Sequence, residues 1–209
     1  MIGIIDYGMG NLGSVTNAFR FLGIDATIVA RQEQMHACRA LVLPGVGAFG
    51  DCMAHLQEHG FVGALREWVV EDRPLLGICL GLQVLFESSE ESPGVEGLGI
   101  FPGSVKRFPP SSELKIPQIG WNRVFQKQAD CPMFSAIEDG SFFYLVHSYY
   151  VVPDDASLIA GETEYGQKYC SCAWKGNVFA TQFHPEKSQE AGLQMLKNFH
   201  IWAEKGACL

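Results

Sequence analysis

The chain has 209 residues, 47% hydrophobic and 18% charged, with a formal net charge of -8. This length and apolar content suit one α/β domain spanning residues 1–209 and exclude an intrinsically disordered chain. The excess of Asp+Glu (23) over Lys+Arg (15) argues against a general nucleic-acid-binding surface, and no apolar run reaches membrane-spanning length.

Residues 1–5 read as a buried first strand, apolar and β-branched. The strand runs into Asp6-Tyr7-Gly8-Met9-Gly10-Asn11, a loop whose glycines, aspartate and asparagine suit a functional site. A helix follows over 15–22, with Val15, Ala18, Phe19 and Leu22 on one face. Gly8, Gly10 and Gly13 match the G-x-G-x-x-G dinucleotide fingerprint literally. That reading wants an acidic residue after the second strand (26–30), but Arg31 stands there, a residue suited to a 2′-phosphate. A third strand over 40–43 leads into Pro44-Gly45-Val46-Gly47-Ala48-Phe49-Gly50. Two readings stay open for it: a tight turn into the next helix, or backbone N–H groups aimed at a developing oxyanion.

Residues 51–70 carry helical apolar spacing with a break near Gly60, and a strand over 75–78 delivers the chain to Cys79. Around it the order is Leu-Gly-Ile-Cys-Leu-Gly-Leu-Gln, from Leu76 to Gln83. A buried strand ending at a helix start lifts a side chain out of the sheet, as in the G-x-S-x-G elbow. Gly77 and Gly81 are expected to supply the strained dihedrals of the corner. The helix N-terminus would lower a thiol pKa and stabilise an oxyanion. Cysteine is also among the commonest buried core residues, so the corner alone does not make Cys79 a nucleophile. Leu82, Leu85 and Phe86 continue the helix. The stretch 87–94 ends it, with its glutamates facing solvent.

From 97 to 122 glycine and proline recur, strands are short and no helix is evident; Trp121, beside Asn122, reads as packing. Strands over 141–146, 157–160, 169–174 and 178–182 suggest an antiparallel continuation, and a helix over 189–204 docks back. The expected fold is an open, mostly parallel central sheet flanked by helices, with an antiparallel, strand-rich second half.

The cysteines, Cys38, Cys52, Cys79, Cys131, Cys170, Cys172 and Cys208, are odd in number and scattered, and the chain opens without a secretory signal. Reduced thiols in a cytoplasm are expected. Cys170 and Cys172 are too closely spaced for a zinc knuckle, and neither a metal nor a cofactor is expected.

Strand ends near Ile5, Leu43, Ile78 and Gln182 should share one edge of a parallel sheet, where ligands bind. A thiolate there needs an imidazole and a carboxylate to orient it. His184 and Glu186 meet that requirement, because an extended segment puts i and i+2 on one face. His147, also at a strand end, competes for the role but lacks a nearby carboxylate. His36, His55, His59 and His200 carry no strong signal.

These stretches together resemble the class-I glutamine amidotransferases, and within them the glutaminase subunits of imidazole glycerol phosphate synthases. The likeness rests on the Asp6–Leu12 opening, Pro44 to Phe49, Gly77 to Gln83, Gly120-Trp121-Asn122, His147 to Tyr150 and Thr181 to Ser188. It implies a Cys79–His184–Glu186 triad, oxyanion donors at Leu80 and at Val46 or Gly47, and L-glutamine held by Gly47, Gln83, Ser148 and Tyr149. It further implies ammonia transfer to a (β/α)8-barrel cyclase subunit in a 1:1 heterodimer. Asn11, Trp121, Asn122 and Lys187 are the interface candidates. The glycine fingerprint then becomes incidental. A stand-alone cysteine hydrolase or peptidase, a glutaminase serving another synthase, and a catalytically silent regulatory subunit are the alternatives.

Overall fold

The computed structural model describes residues 1–110, 112 and 114–205. Strands β1 (Ile2–Ile5), β2 (Ala26–Val29), β3 (Ala40–Gly45) and β4 (Leu75–Cys79) come first. Helices α1 (Leu12–Phe21), α2 (Phe49–Glu58), α3 (Phe61–Val70) and α4 (Leu80–Gln83) connect or follow them. Then come β5 (Ser88–Ser89), β6 (Gly103–Arg107), β7 (Gln118–Gln126), β8 (Ser141–His147), β9 (Tyr149–Pro153), β10 (Ile159–Glu164), β11 (Lys168–Lys175) and β12 (Val178–Thr181). Helix α5 (Gln189–Lys205) follows.

One sheet runs in the order β2-β1-β3-β4-β12-β11-β10-β7-β8, with β9, β6 and β5 branching from β11. From β2 to β12 the pairings are parallel; from β12 to β8 they are antiparallel. Every residue of β1, β3 and β4 is buried, which fits parallel strands covered on both faces. On one face Ile5, Leu41 and Leu43 share a core with Phe49, Leu56, Phe61 and Leu65 of α2 and α3. On the other, Ile4, Val42 and Ile78 share one with Phe19 of α1 and Leu196 and Phe199 of α5. No helix among the described residues is long and apolar enough to cross a membrane.

Strand β12 is antiparallel to β11 but parallel to β4, so it belongs both to the antiparallel continuation and to the parallel edge expected to carry the site. Two expectations change. Helix α4 stops at Gln83 instead of running on to Phe86, because the carbonyls of Val84 and Leu85 accept from Leu98 and Ile100. The stretch 97–122, read as short strands, includes the start of the nine-residue β7, on which Trp121 is 45% exposed. Cys208 lies outside the described residues.

The glycines separate by what a methyl group would meet. A Cβ on Gly81 would sit 2.0 Å from the Leu43 carbonyl oxygen, whereas one on Gly13 would meet nothing within 4 Å. Gly81→Ala should therefore lower stability by about 3 kcal/mol or prevent folding, and Gly13→Ala, in α1, should raise it by about 0.5–1 kcal/mol. Denaturant melts of both variants check this.

Candidate active site

Strand β4 places Cys79 at its last position, with φ 57° and ψ -108°, an unusual backbone for a non-glycine residue. The strain expected of the neighbouring glycines therefore lies at the cysteine itself. Gly77 and Gly81 have ordinary φ and serve close approach. A Cβ on Gly77 would lie 2.8 Å from the Gly81 carbonyl oxygen, and one on Gly81 would strike Leu43. The corner turns Cys79, 8% exposed, to the edge of the sheet.

The strands on either side of β4 bring the other groups. Gly45 of β3 is in register with Cys79, and Thr181 of β12 with Ile78. Beyond β12, His184 is extended (φ -99°, ψ 97°) and Glu186 lies in the 3₁₀ turn Pro185–Lys187. The two meet across that turn and not along an extended face as expected: His184 Nδ1 lies 2.8 Å from Glu186 Oε1, with both side chains almost wholly buried. A carboxylate accepts, so Nδ1 carries the proton and Nε2 is left for Cys79, with which the ring hydrogen-bonds. Burial opposes the imidazolium. The hydrogen bonds and charges of Cys79 and Glu186 outweigh it and hold His184 up, at about 10.

The backbone of His184 is also clamped. Its N–H donates to the Tyr144 carbonyl (3.0 Å). Ser188 Oγ donates to the His184 carbonyl (2.6 Å) and accepts from Tyr144 N–H (3.0 Å).

A cavity of about 300 Å³ opens over Cys79, lined among others by Val46, Gly47, Leu80, Gln83, Ser148, Tyr149 and His184. Val46 is 40% exposed and Gly47 has φ 97°, a conformation that favours glycine. Upstream, the Tyr7 hydroxyl donates to the Pro44 carbonyl (2.8 Å) and accepts from the Cys52 thiol (3.3 Å), which pins the start of this segment.

His147 also lines the cavity but is differently held. Its Nδ1 lies 2.7 Å from the Tyr149 carbonyl and its Nε2 3.2 Å from the Tyr169 hydroxyl. Burial, with the charge of His184 adding to it, pushes His147 down to about 4 despite the Tyr149 bond. It is therefore neutral.

Two contributors are not legible from local sequence. Glu91, expected in solvent, lines the cavity, and its carboxylate accepts from Phe49 N–H (2.7 Å) at the start of α2. The Gln182 carboxamide, fully buried, donates from Nε2 to Cys79 Sγ at 3.8 Å. A strand-end glutamine could have pointed there, but only the register aims it.

Elsewhere, Asn11 caps α1 by accepting from Ser14 N–H, and Asn122 donates to the Glu164 carbonyl. Trp121 packs edge-on against Tyr144 (6.2 Å), over which Lys187 Nζ lies at 6.0 Å. Gly13 has no neighbour its lack of a side chain would serve, which removes the packing reason for the third fingerprint glycine. The six described cysteines are free and buried. Burial pushes Cys52 and Cys131 up to about 12 and also raises Cys38, Cys170 and Cys172. Among the described residues, His55 and Glu58 of α2 and His59 just beyond it have metal-compatible spacing, with ligand atoms within 4.8 Å. The Nδ1 atoms of both histidines lie against backbone carbonyls.

A strained cysteine at the end of a parallel strand, with an imidazole–carboxylate pair just beyond the neighbouring strand, is an arrangement suited to a cysteine nucleophile. A family description, "Glutamine amidotransferase class-I", matches residues 3–203, and the chain belongs to that family. At closer range it is 50% identical over 204 residues to "Imidazole glycerol phosphate synthase subunit HisH" of Syntrophotalea carbinolica, covering 95% of this chain and 98% of that one. It is 52% identical over 200 residues to the subunit of the same name from Chlorobium luteolum, with the same coverage of each. Among solved structures it shares its fold with "Structure of PurLQS from Thermotoga maritima" (TM-score 0.77, 18% identity, 96% of this chain and 97% of that one). It likewise shares it with "Crystal structure of glutamine amidotransferase" (TM-score 0.75, 19% identity, 97% and 98%).

The two buried histidines bear on stability in opposite directions. His184 is raised above its unfolded value of roughly 6.5, so its contribution is complete below that pH and is lost as pH rises through about 10. His147 is lowered, so its contribution is present above roughly 6.5 and is lost as pH falls through about 4. Glu186→Gln should flatten the alkaline limb of the stability profile and leave the acid limb in place. Denaturant midpoints across pH, with histidine NMR titration, test this.

Proposed function

We propose that the chain hydrolyses L-glutamine to glutamate and ammonia, with residues 1–209 acting as one amidotransferase domain and Cys79, His184 and Glu186 as its triad. The register that sets β3 and β12 on either side of Cys79 carries this reading. The Cys79 thiolate attacks the carboxamide carbon. Leu80 N–H and a backbone N–H at Val46 or Gly47 receive the oxyanion. The proton on His184 Nε2 passes to the departing ammonia, and the freed nitrogen then takes a proton from the water that opens the thioester. Glu186 holds the imidazole with Nε2 toward sulfur. Gly47, Gln83, Ser148 and Tyr149 hold the substrate. Both Nε2 hydrogens of Gln83 have protein acceptors, so its Oε1 is the atom offered to a ligand. With Tyr7 pinning Pro44, a flip of the Val46–Gly47 peptide is the switch that completes the oxyanion site.

The ammonia serves histidine biosynthesis. It passes to a (β/α)8-barrel cyclase subunit, in a 1:1 heterodimer, that makes imidazole glycerol phosphate. The names of the HisH relatives support this, as does the outer face of β7 and β8, where Ile119, Trp121 and Phe142 are 64%, 45% and 50% exposed. Trp121 and Lys187 both touch Tyr144, whose ring lies 6.5 Å from that of His184, so a partner on this face sits one side chain from the imidazole. Asn11 and Asn122 are further interface candidates. Free, buried cysteines fit a reducing cytoplasm.

Cys79→Ala should lower glutamine-dependent ammonia release by about 10⁴-fold or more while the chain still folds and binds the cyclase subunit. Strong, partner-independent peptidase activity in the wild-type chain would reverse the assignment. Trp121→Ala should weaken binding of the cyclase subunit by roughly tenfold or more, read by calorimetry, without changing alkylation of Cys79.

A further inference from the structure

We infer that Gln182 is a further catalytic residue of this site: its carboxamide N–H holds the Cys79 thiolate, and Gln83 fixes the direction in which it points. The inference rests on reading Cys79 as the nucleophile. It follows from hydrogen-bond parity beginning at an atom that cannot change role.

The Tyr149 backbone carbonyl only accepts. Gln83 approaches it at 3.2 Å, so the group facing it must be Nε2, since Oε1 there would set two lone-pair oxygens against each other. The same Nε2 lies 3.0 Å from the Gln182 carboxamide, which must therefore present Oε1 to it. With Oε1 committed, Nε2 of Gln182 is the atom left facing Cys79 Sγ, at 3.8 Å. His147 Nδ1 donates into the same carbonyl at 2.7 Å, giving that anchor a second donor.

The chain of amides is sealed. Gln182 is 0% exposed and Gln83 4%. A buried N–H aimed at sulfur favours the thiolate over the thiol, because a charged acceptor makes the stronger bond and there is little water to substitute for it. Glu186 acts at one remove, through the imidazole. Gln182 acts on the sulfur itself, from the same strand end that carries His184. Gln83 is a positioning residue in this respect, since it reaches sulfur only through Gln182.

The test is the pH dependence of iodoacetamide alkylation at Cys79 in the full chain, read by mass spectrometry. Gln182→Met keeps the volume and removes the donor, and its alkylation midpoint should rise by about one pH unit, a roughly tenfold loss of reactive thiolate on the acid side. Gln182→Glu should shift it further, since a carboxylate would face sulfur. Gln83→Leu, which frees Gln182 to rotate, should shift it in the same direction by less. A Gln182→Met chain with native melting behaviour and an unmoved midpoint would overturn the inference. Should the variants fail to fold, the wild-type protein decides: its Gln182 side-chain amide resonances should titrate together with Cys79 ionisation, and resonances flat across that range would overturn it. If alkylation behaves as expected but glutamine yields no ammonia even with the cyclase subunit, the assignment of Gln182 stands and the proposed function falls.

Discussion

The approach of α4 to β3 controls the rest of the site. Gly81 passes so near the Leu43 carbonyl that no side chain fits between them, and Gly77 lies under the carbonyl of Gly81 in the same way. This contact folds the chain back immediately after β4 and forces Cys79 to φ 57°. A strained non-glycine residue costs about 1–3 kcal/mol. Burial of Leu75, Leu76 and Ile78 offsets it at about 1.5–3 kcal/mol for each side chain; all three are at most 1% exposed. The strain therefore falls on the residue whose exposure at the sheet edge matters, and the rigid elements around it hold it there.

Around that corner the protein excludes water and then supplies polar partners of its own. The hydrogen bonds and charges of Cys79 and Glu186 make an imidazolium at His184 favourable in a place where burial alone would forbid it. His147, a short distance away, is neutral for the opposite reason: its nearest polar partners are a carbonyl and a hydroxyl, and neither offers a negative charge. Two histidines of similar burial thus take opposite charge states according to whether a carboxylate faces them. Burial raises the thiols of the described cysteines other than Cys79.

The second half of the chain covers the site and connects it outward. Backbone groups of β8 clamp His184 through Ser188, and the Tyr149 carbonyl at the start of β9 receives Gln83. The outer face of β7 and β8 carries aromatic and aliphatic side chains, with Tyr144 between that face and the imidazole. An event at the exposed surface and the geometry at His184 therefore share one strand.

The alternation of buried strands and helices in the first half was legible in the sequence, because residues such as those of β1 and β3 are apolar throughout and their boundaries carry glycine and proline. That Cys79 and His184 would come to the same edge of the sheet was legible too, since each follows an apolar run that ends there, with Glu186 two residues beyond the histidine. Other features depended on partners far away in the chain. The early end of α4 reflects carbonyls claimed by Leu98 and Ile100, and the half-buried position of Glu91 reflects the open N–H of Phe49. Local periodicity holds no record of such bonds. The aim of Gln182 at sulfur is the clearest case. The sequence by itself determined that a carboxamide stands at the end of the last apolar run, two residues before the histidine. Only the tertiary structure decided which of its atoms faces Cys79, because that choice is inherited through Gln83 from a backbone carbonyl at Tyr149, which can accept a hydrogen bond but never donate one.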